Sequence, residues 1–157
     1  MMSRTPRALL QFKQSFVIDM SASEYEGAYP KISSWKSTGE QNISCCSWDG
    51  VEGDEKTGHV IGLDLSSSCL YGSFSSNNTL FGLVHLQSLN LTDNDFNYSQ
   101  IPTNIRNFSR LRYLNLSHAY FSGRVPSQVS QLTKLSSLDL SSTYEMGLDQ
   151  KSKREKD

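Results

Sequence analysis

Between residues 83 and 142, leucines recur in a fixed short pattern with polar residues between them. Leu86-Gln87-Ser88-Leu89-Asn90-Leu91 is followed by Leu111-Arg112-Tyr113-Leu114-Asn115-Leu116, then by Leu135-Ser136-Ser137-Leu138-Asp139-Leu140. Leu89 to Leu114 is 25 residues, and Leu114 to Leu138 is 24. An earlier copy, Val60-Ile61-Gly62-Leu63-Asp64-Leu65, lies 26 residues before Leu89. Leucine at alternate positions predicts a short strand with apolar and polar side chains on opposite faces. Leu89 and Leu91 then enter a core, and Ser88, Asn90 and Thr92 face solvent. No single unit buries its leucines alone, so successive units must stack.

The rest of each unit repeats too. Phe96-Asn-Tyr-Ser-Gln-Ile101-Pro102 is echoed, one residue shorter, by Phe121-Ser-Gly123-Arg-Val125-Pro126. The Phe and Ile/Val positions supply a second apolar layer, Gly123 permits a tight turn, and each proline opens the next segment. Asn94 ends one strand motif, where its amide can bond the backbone at the bend. Ala119 stands at that position in the next unit. A period in the twenties carrying Leu-x-x-Leu-x-Leu is the signature of a leucine-rich repeat solenoid, an α/β fold with its strands on the concave side.

Ahead of the repeats, residues 5–18 read as an amphipathic helix. Ala8, Leu9, Phe12, Phe16 and Val17 lie on one face, with Gln11, Lys13, Gln14 and Ser15 opposite. Such a helix covers the end of the first repeat, which a solenoid needs in order to stay soluble. Residues 19–44 are polar and turn-rich. Ile32, Trp35, Trp48 and Val51 read as a small core beneath the helix. Asp54–Gly58 reads as a turn into a strand over His59–Leu65.

These motifs carry a family resemblance. Leu116-Ser117, then Phe121-Ser-Gly-Arg-Val-Pro126, resembles the plant extracellular class of leucine-rich repeat. Ala8-Leu-Leu-Gln-Phe-Lys, Trp35, Cys45-Cys46-Ser-Trp48 and Ser66-Ser-Ser-Cys69-Leu-Tyr-Gly72 are similar to the amino-terminal cap and first repeat of plant receptor-like proteins of the disease-resistance type. The resemblance implies a non-enzymatic recognition module, the amino-terminal fragment of a plant cell-surface receptor in signal perception and defence. It further implies a protein, peptide or glycan ligand, a co-receptor kinase as partner, and the extracellular side of the plasma membrane as location. In the resembled cap, the second cysteine of the adjacent pair bonds one seven positions on, which here is Gly53. The first bonds a cysteine upstream of the helix, where this chain has none. The three cysteines, Cys45, Cys46 and Cys69, leave pairing of Cys69 with Cys45 or Cys46 open. Two alternatives stand beside this reading: a truncated gene product without independent function, and a binding protein resembling plant polygalacturonase inhibitors.

The domain reading is a leader without a signal-peptide apolar core over 1–7, a cap over 8–58, about three and a half repeats over 59–142, and a charged, disordered tail over 143–157. The solenoid is thus read as truncated. Net charge is −1, so no bulk charge draws the chain to nucleic acid. No run of 18 apolar residues exists to span a membrane. His59, His85 and His118 fall in separate segments with no partnered nucleophile. Asp64 and Asp139 sit three strands apart, roughly 14 Å at one strand spacing per repeat, too far for paired acid–base work. We therefore expect no enzyme, no catalytic residue, no cofactor and no metal. The expected ligand-binding row on the concave face is Ser88, Asn90, Thr92, Arg112, Tyr113, Asn115, Ser117, Ser137, Asp139 and Ser141. Asn-x-Ser/Thr occurs at Asn42, Asn77, Asn90, Asn97, Asn107 and Asn115. Asn42, Asn77, Asn97 and Asn107 fall in expected loops and are the candidate glycosylation sites.

Overall fold

The computed structural model describes residues 4–36 and 44–142. Expectations for residues 1–3, for Asn42 and for the segment from 143 onward lie outside the described residues. The first element is helix α1 (Arg4–Gln14). Short strands follow: β1 (Val17–Ile18), β2 (Val51–Gly53), β3 (Val60–Asp64), β4 (Leu70–Tyr71), β5 (Ser88–Asn90), β6 (Tyr113–Asn115) and β7 (Ser137–Asp139). A five-stranded sheet runs in the order β2-β3-β5-β6-β7. β2 and β3 form an antiparallel hairpin, and β3, β5, β6 and β7 are parallel. Register sets Leu63, Leu89, Leu114 and Leu138 side by side. The solenoid expected from the repeat is the fold observed.

Behind the sheet, three 3-10 helices form the opposite wall: Thr79–Gly82, Thr103–Asn107 and Ser127–Gln131. Pro102 and Pro126 immediately precede the last two, as a fixed φ near −65° allows. Between the walls lie Leu86, Leu89, Leu91, Leu111, Leu114 and Leu116, all buried. Each such leucine contributes roughly 1.5–3 kcal/mol by leaving water. Phe74, Phe96 and Phe121 form a second line, with ring centroids 5.4 Å and 5.1 Å apart. α1 closes this line from the cap side, where Phe12 lies 6.2 Å from Phe74, and Phe16 just past the helix lies 5.4 Å from Phe96. Thr79 Oγ1 donates to the α1 carbonyl of Ala8 at 2.7 Å. Deeper in the cap, Trp35 stacks on Trp48 at 5.7 Å and donates its indole N–H to Asp49 O at 2.9 Å.

Asn94 is fully buried and holds the corner after β5. Its Oδ1 accepts from the Ser68 and Leu70 amides at 3.2 and 3.1 Å. Its Nδ2 donates to Leu65 O, Leu91 O and Thr92 O at 2.8, 3.0 and 3.2 Å. One side chain thus ties two successive units. Ala119 is buried at the equivalent place without any such bonds.

Three details of the sequence reading need correction. The helix stops at Gln14, not residue 18, and Val17 is 65% exposed rather than on the apolar face. The chain leaves the helix because β1 pairs with β4, with Val17 opposite Tyr71. Gly72, at φ +145°, lets the Phe16 ring approach; a Cβ there would sit 3.2 Å from it. Val125 is exposed where Ile101 is buried, because no further described unit packs over it. In the last described unit Leu132 is buried, whereas Leu138 is 46% exposed.

Candidate functional site

The concave face is a grid set by strand register. One row holds Gly62, Ser88, Tyr113 and Ser137, and the next holds Asp64, Asn90, Asn115 and Asp139. Ser88, Asn90, Tyr113 and Asn115 are half-buried, while Ser137 and Asp139 are exposed. Arg112 is exposed just ahead of β6, and its carbonyl accepts from the Ser136 and Ser137 amides at 2.8 and 3.1 Å. The structure thus brings together Ser88, Tyr113 and Ser137, and separately Asn90, Asn115 and Asp139.

The second row has a structural task that the repeat pattern did not reveal. Each of its polar side chains turns to cap the backbone two residues on. Asp64 Oδ1 accepts from the Ser66 amide and hydroxyl at 3.0 and 2.7 Å. Asn90 Oδ1 accepts from the Thr92 amide at 3.0 Å. Asn115 Oδ1 accepts from the Ser117 amide and hydroxyl at 3.0 and 2.6 Å. Asp139 Oδ1 accepts from the Ser141 amide and hydroxyl at 2.9 and 2.6 Å. Short side chains of this kind end strands by bonding the local backbone. Ser117 is consequently 3% exposed, not a free concave residue. Thr92 is also drawn in, its hydroxyl donating to Ser117 O at 2.7 Å. Asn115 Nδ2 still reaches the Tyr113 hydroxyl at 3.3 Å.

The two carboxylates of this row are held ionised. For Asp64, burial works upward but is outweighed by the Ser66 hydroxyl and amide and by Lys31, so its pKa lies below the ordinary value. Lys31 Nζ is 3.6 Å from Asp64 Oδ1. The Ser141 hydroxyl and amide lower Asp139 in the same way. Neither carboxylate is set up to donate a proton near neutrality. All three cysteines are free thiols. Burial pushes the Cys45 thiol up to about 11, and the Cys69 thiol is also raised by burial. Cys46 Sγ lies directly over Gly53, 2.0 Å from where a Cβ would stand.

Two features escaped the reading of the sequence. The rings of His59 and His85 stack, with centroids 3.7 Å apart and planes 16° apart. The available signal was their equal offset, four residues ahead of Leu63 and Leu89. The second is a cleft of about 460 Å³ beside the sheet, lined by Ser21, Glu24, Asp93, Asp95, His118 and Tyr120. Asp93 there joins the cap to the repeats. Its carboxylate accepts from the amides of Glu24 and Tyr25 at 2.8 and 3.1 Å and from the Ser67 hydroxyl at 2.7 Å. The expected glycosylation positions Asn77, Asn97 and Asn107 are exposed, whereas Asn90 and Asn115 are occupied in strand capping.

Comparison with known proteins agrees with this architecture. The leucine rich repeat N-terminal domain family matches residues 6–52, and the Leucine Rich Repeat family matches residues 85–108 and 110–132. The chain is 46% identical over 145 residues to Receptor-like protein 6 of Arabidopsis thaliana, covering 87% of this chain and 14% of that protein. It is 43% identical over 149 residues to Receptor-like protein 9DC1 of Solanum pimpinellifolium, covering 90% and 17%. The chain belongs to the plant leucine-rich repeat receptor-like proteins. It spans only a small part of these relatives' length. Among solved structures, a plant ice-binding protein shares the fold at TM-score 0.68 and 31% identity, covering 89% of this chain and 40% of that one. The BIR3–SERK2 complex from Arabidopsis thaliana matches at TM-score 0.59 and 29% identity, covering 89% and 82%. In this receptor-like chain, β7 continues the repeat pattern past the last matched residue. No helix among the described residues is long and apolar enough to cross a membrane.

Proposed function

We propose that this chain is the ligand-recognising amino-terminal part of a plant cell-surface receptor-like protein acting in defence signalling, without catalysis of its own. The observation that carries the reading is the in-register polar strand face, joined to a cap and repeats that are 46% identical to a plant receptor-like protein. Ser88, Arg112, Tyr113, Ser137 and Asp139, with the Nδ2 sides of Asn90 and Asn115, form the recognition face. Tyr113 and Arg112 are residue types that dominate interface energies. The ligand is a protein, peptide or glycan, and the partner a co-receptor kinase. The structurally similar BIR3–SERK2 complex supports that kind of assembly. The chain resides on the extracellular side of the plasma membrane, with glycans on the exposed Asn77, Asn97 and Asn107. Expression of the chain in plant cells, followed by glycosidase treatment, tests this. A mass that collapses on deglycosylation is the expected result. An unshifted cytosolic product overturns the cell-surface reading.

A further inference from the structure

One edge of the parallel sheet carries a basic residue at the same register position in every described repeat. His59, His85, Arg110 and Lys134 each stand four residues ahead of a strand leucine: Leu63, Leu89, Leu114 and Leu138. Those leucines are paired in register, so the four residues fall at equivalent positions ahead of adjacent strands, at successive strand spacings of about 4.8 Å. The His59–His85 ring stack, with centroids 3.7 Å apart, is the ladder seen directly at its first step. Arg110 continues it, close enough to His85 to disfavour that imidazole's charged form. His59, Arg110 and Lys134 are exposed. Among the described residues, none of the four side chains is held in an ion pair or a side-chain hydrogen bond. With a net charge of −1, the protein gains nothing from this row as bulk charge. Arg110 and Lys134 are like charges at adjacent positions of the row, a local cost without a matching anion.

We propose that this ladder is a docking strip for an acidic polysaccharide, a linear chain of uronic acid rings lying across the strands. The inference rests on the recognition reading above and names a ligand class for it. Arg110 and Lys134 pair with ring carboxylates, and the two imidazoles donate N–H groups to ring oxygens. The adjoining concave positions Gln87, Ser88, Tyr113, Ser136 and Ser137 present amides and hydroxyls, which suit a polyol. An extended peptide fits the strip less well. Its same-face side chains repeat at about 6.8 Å, out of step with basic residues every ~4.8 Å, whereas a polyuronate carries a carboxylate on every ring.

The test measures binding of a galacturonic acid oligomer to the 157-residue chain, with the methyl-esterified oligomer and a polyglutamate of equal charge as comparators. The free-acid oligomer binds and both comparators bind far more weakly. The triple variant His85→Gln, Arg110→Gln, Lys134→Gln loses about tenfold in affinity, taking two exposed charge contacts and one imidazole N–H together. The matched variant Arg7→Gln, Arg106→Gln, Arg124→Gln, altered away from the strip, loses less than about twofold. Arg110→Lys with Lys134→Arg retains binding. Equal loss in both triple variants overturns the assignment, as does equal binding of polyglutamate or no binding of the oligomer. Those outcomes leave the cell-surface reading intact, because the glycosidase experiment decides it separately.

Discussion

Replacing Asn94 with alanine probes how the cap and repeats are held as one body. The side chain is fully buried and makes five hydrogen bonds, two as acceptor and three as donor. Thr92 O would stay satisfied, since the Ser67 amide already donates to it at 3.0 Å. The Ser68 and Leu70 amides and the Leu65 and Leu91 carbonyls would each lose this partner. At about 1 kcal/mol each, the low end for a buried unsatisfied group, the loss is about 4 kcal/mol. That is a large share of the roughly 5–15 kcal/mol typical of a folded domain. It corresponds to a Tm drop of about 8–16 °C for a chain of this size. Urea denaturation followed by circular dichroism reads it, with exposed Asn107→Ala expected to stay within about 0.5 kcal/mol of the parent. An Asn94→Ala protein within ~1 kcal/mol of the parent would refute the reasoning: water or backbone rearrangement would then be holding the corner.

Other predictions follow from particular contacts. Leu114 and Leu138 occupy the same register position, one fully buried and the other 46% exposed; Leu114→Ala should cost about 2–5 kcal/mol and Leu138→Ala under ~1, and equal costs would contradict the packing described. Gly53→Ala should destabilise, because its Cβ would meet Cys46 Sγ at 2.0 Å. Gly53→Cys should instead gain a reductant-sensitive Tm once the backbone opens from 2.7 Å toward the ~3.8 Å Cβ separation of a disulfide; a mass unchanged by reductant counts against it. Burial first, then the neighbouring His59 and Arg110, hold the His85 pKa below 6.5, so folding favours its neutral form. Below about pH 6.5 the unfolded chain binds the extra proton, so stability falls with acidity and levels off beneath the folded-state pKa. The urea midpoint of His85→Gln should depend less on pH across that window, and parallel curves would show that His85 contributes nothing.

The buried leucines at positions 86, 89, 91, 111, 114 and 116 were legible in advance, because alternation within a strand and a fixed period between strands leave little choice about which side chains face inward. The cap helix and the Trp35–Trp48 core were legible for a related reason: their apolar residues had nowhere to be buried except against each other and the first repeat. Legibility ended where the partner lay far along the chain. Val17 matched the helical period, but pairing with Tyr71, 54 residues away, drew it into a strand. Ser117 matched the outward alternation, but Asn115 and Thr92 pulled it inward. The capping role of Asp64, Asn90, Asn115 and Asp139 lay hidden because a polar residue at an outward position looks alike whether it waits for a ligand or closes its own turn.

From the order of residues alone came the solenoid, its period, its core positions and its kinship, since these depend on spacing along the chain. Only the folded chain decided which polar groups remain available, that Asp93 ties the cap to the repeats, that Cys46 rests against Gly53, and that His59 stacks on His85. Those facts depend on register between strands and on contacts across tens of residues. Hydrogen bonds and charges act through space over a few ångströms, and no local pattern encodes which distant group will stand there.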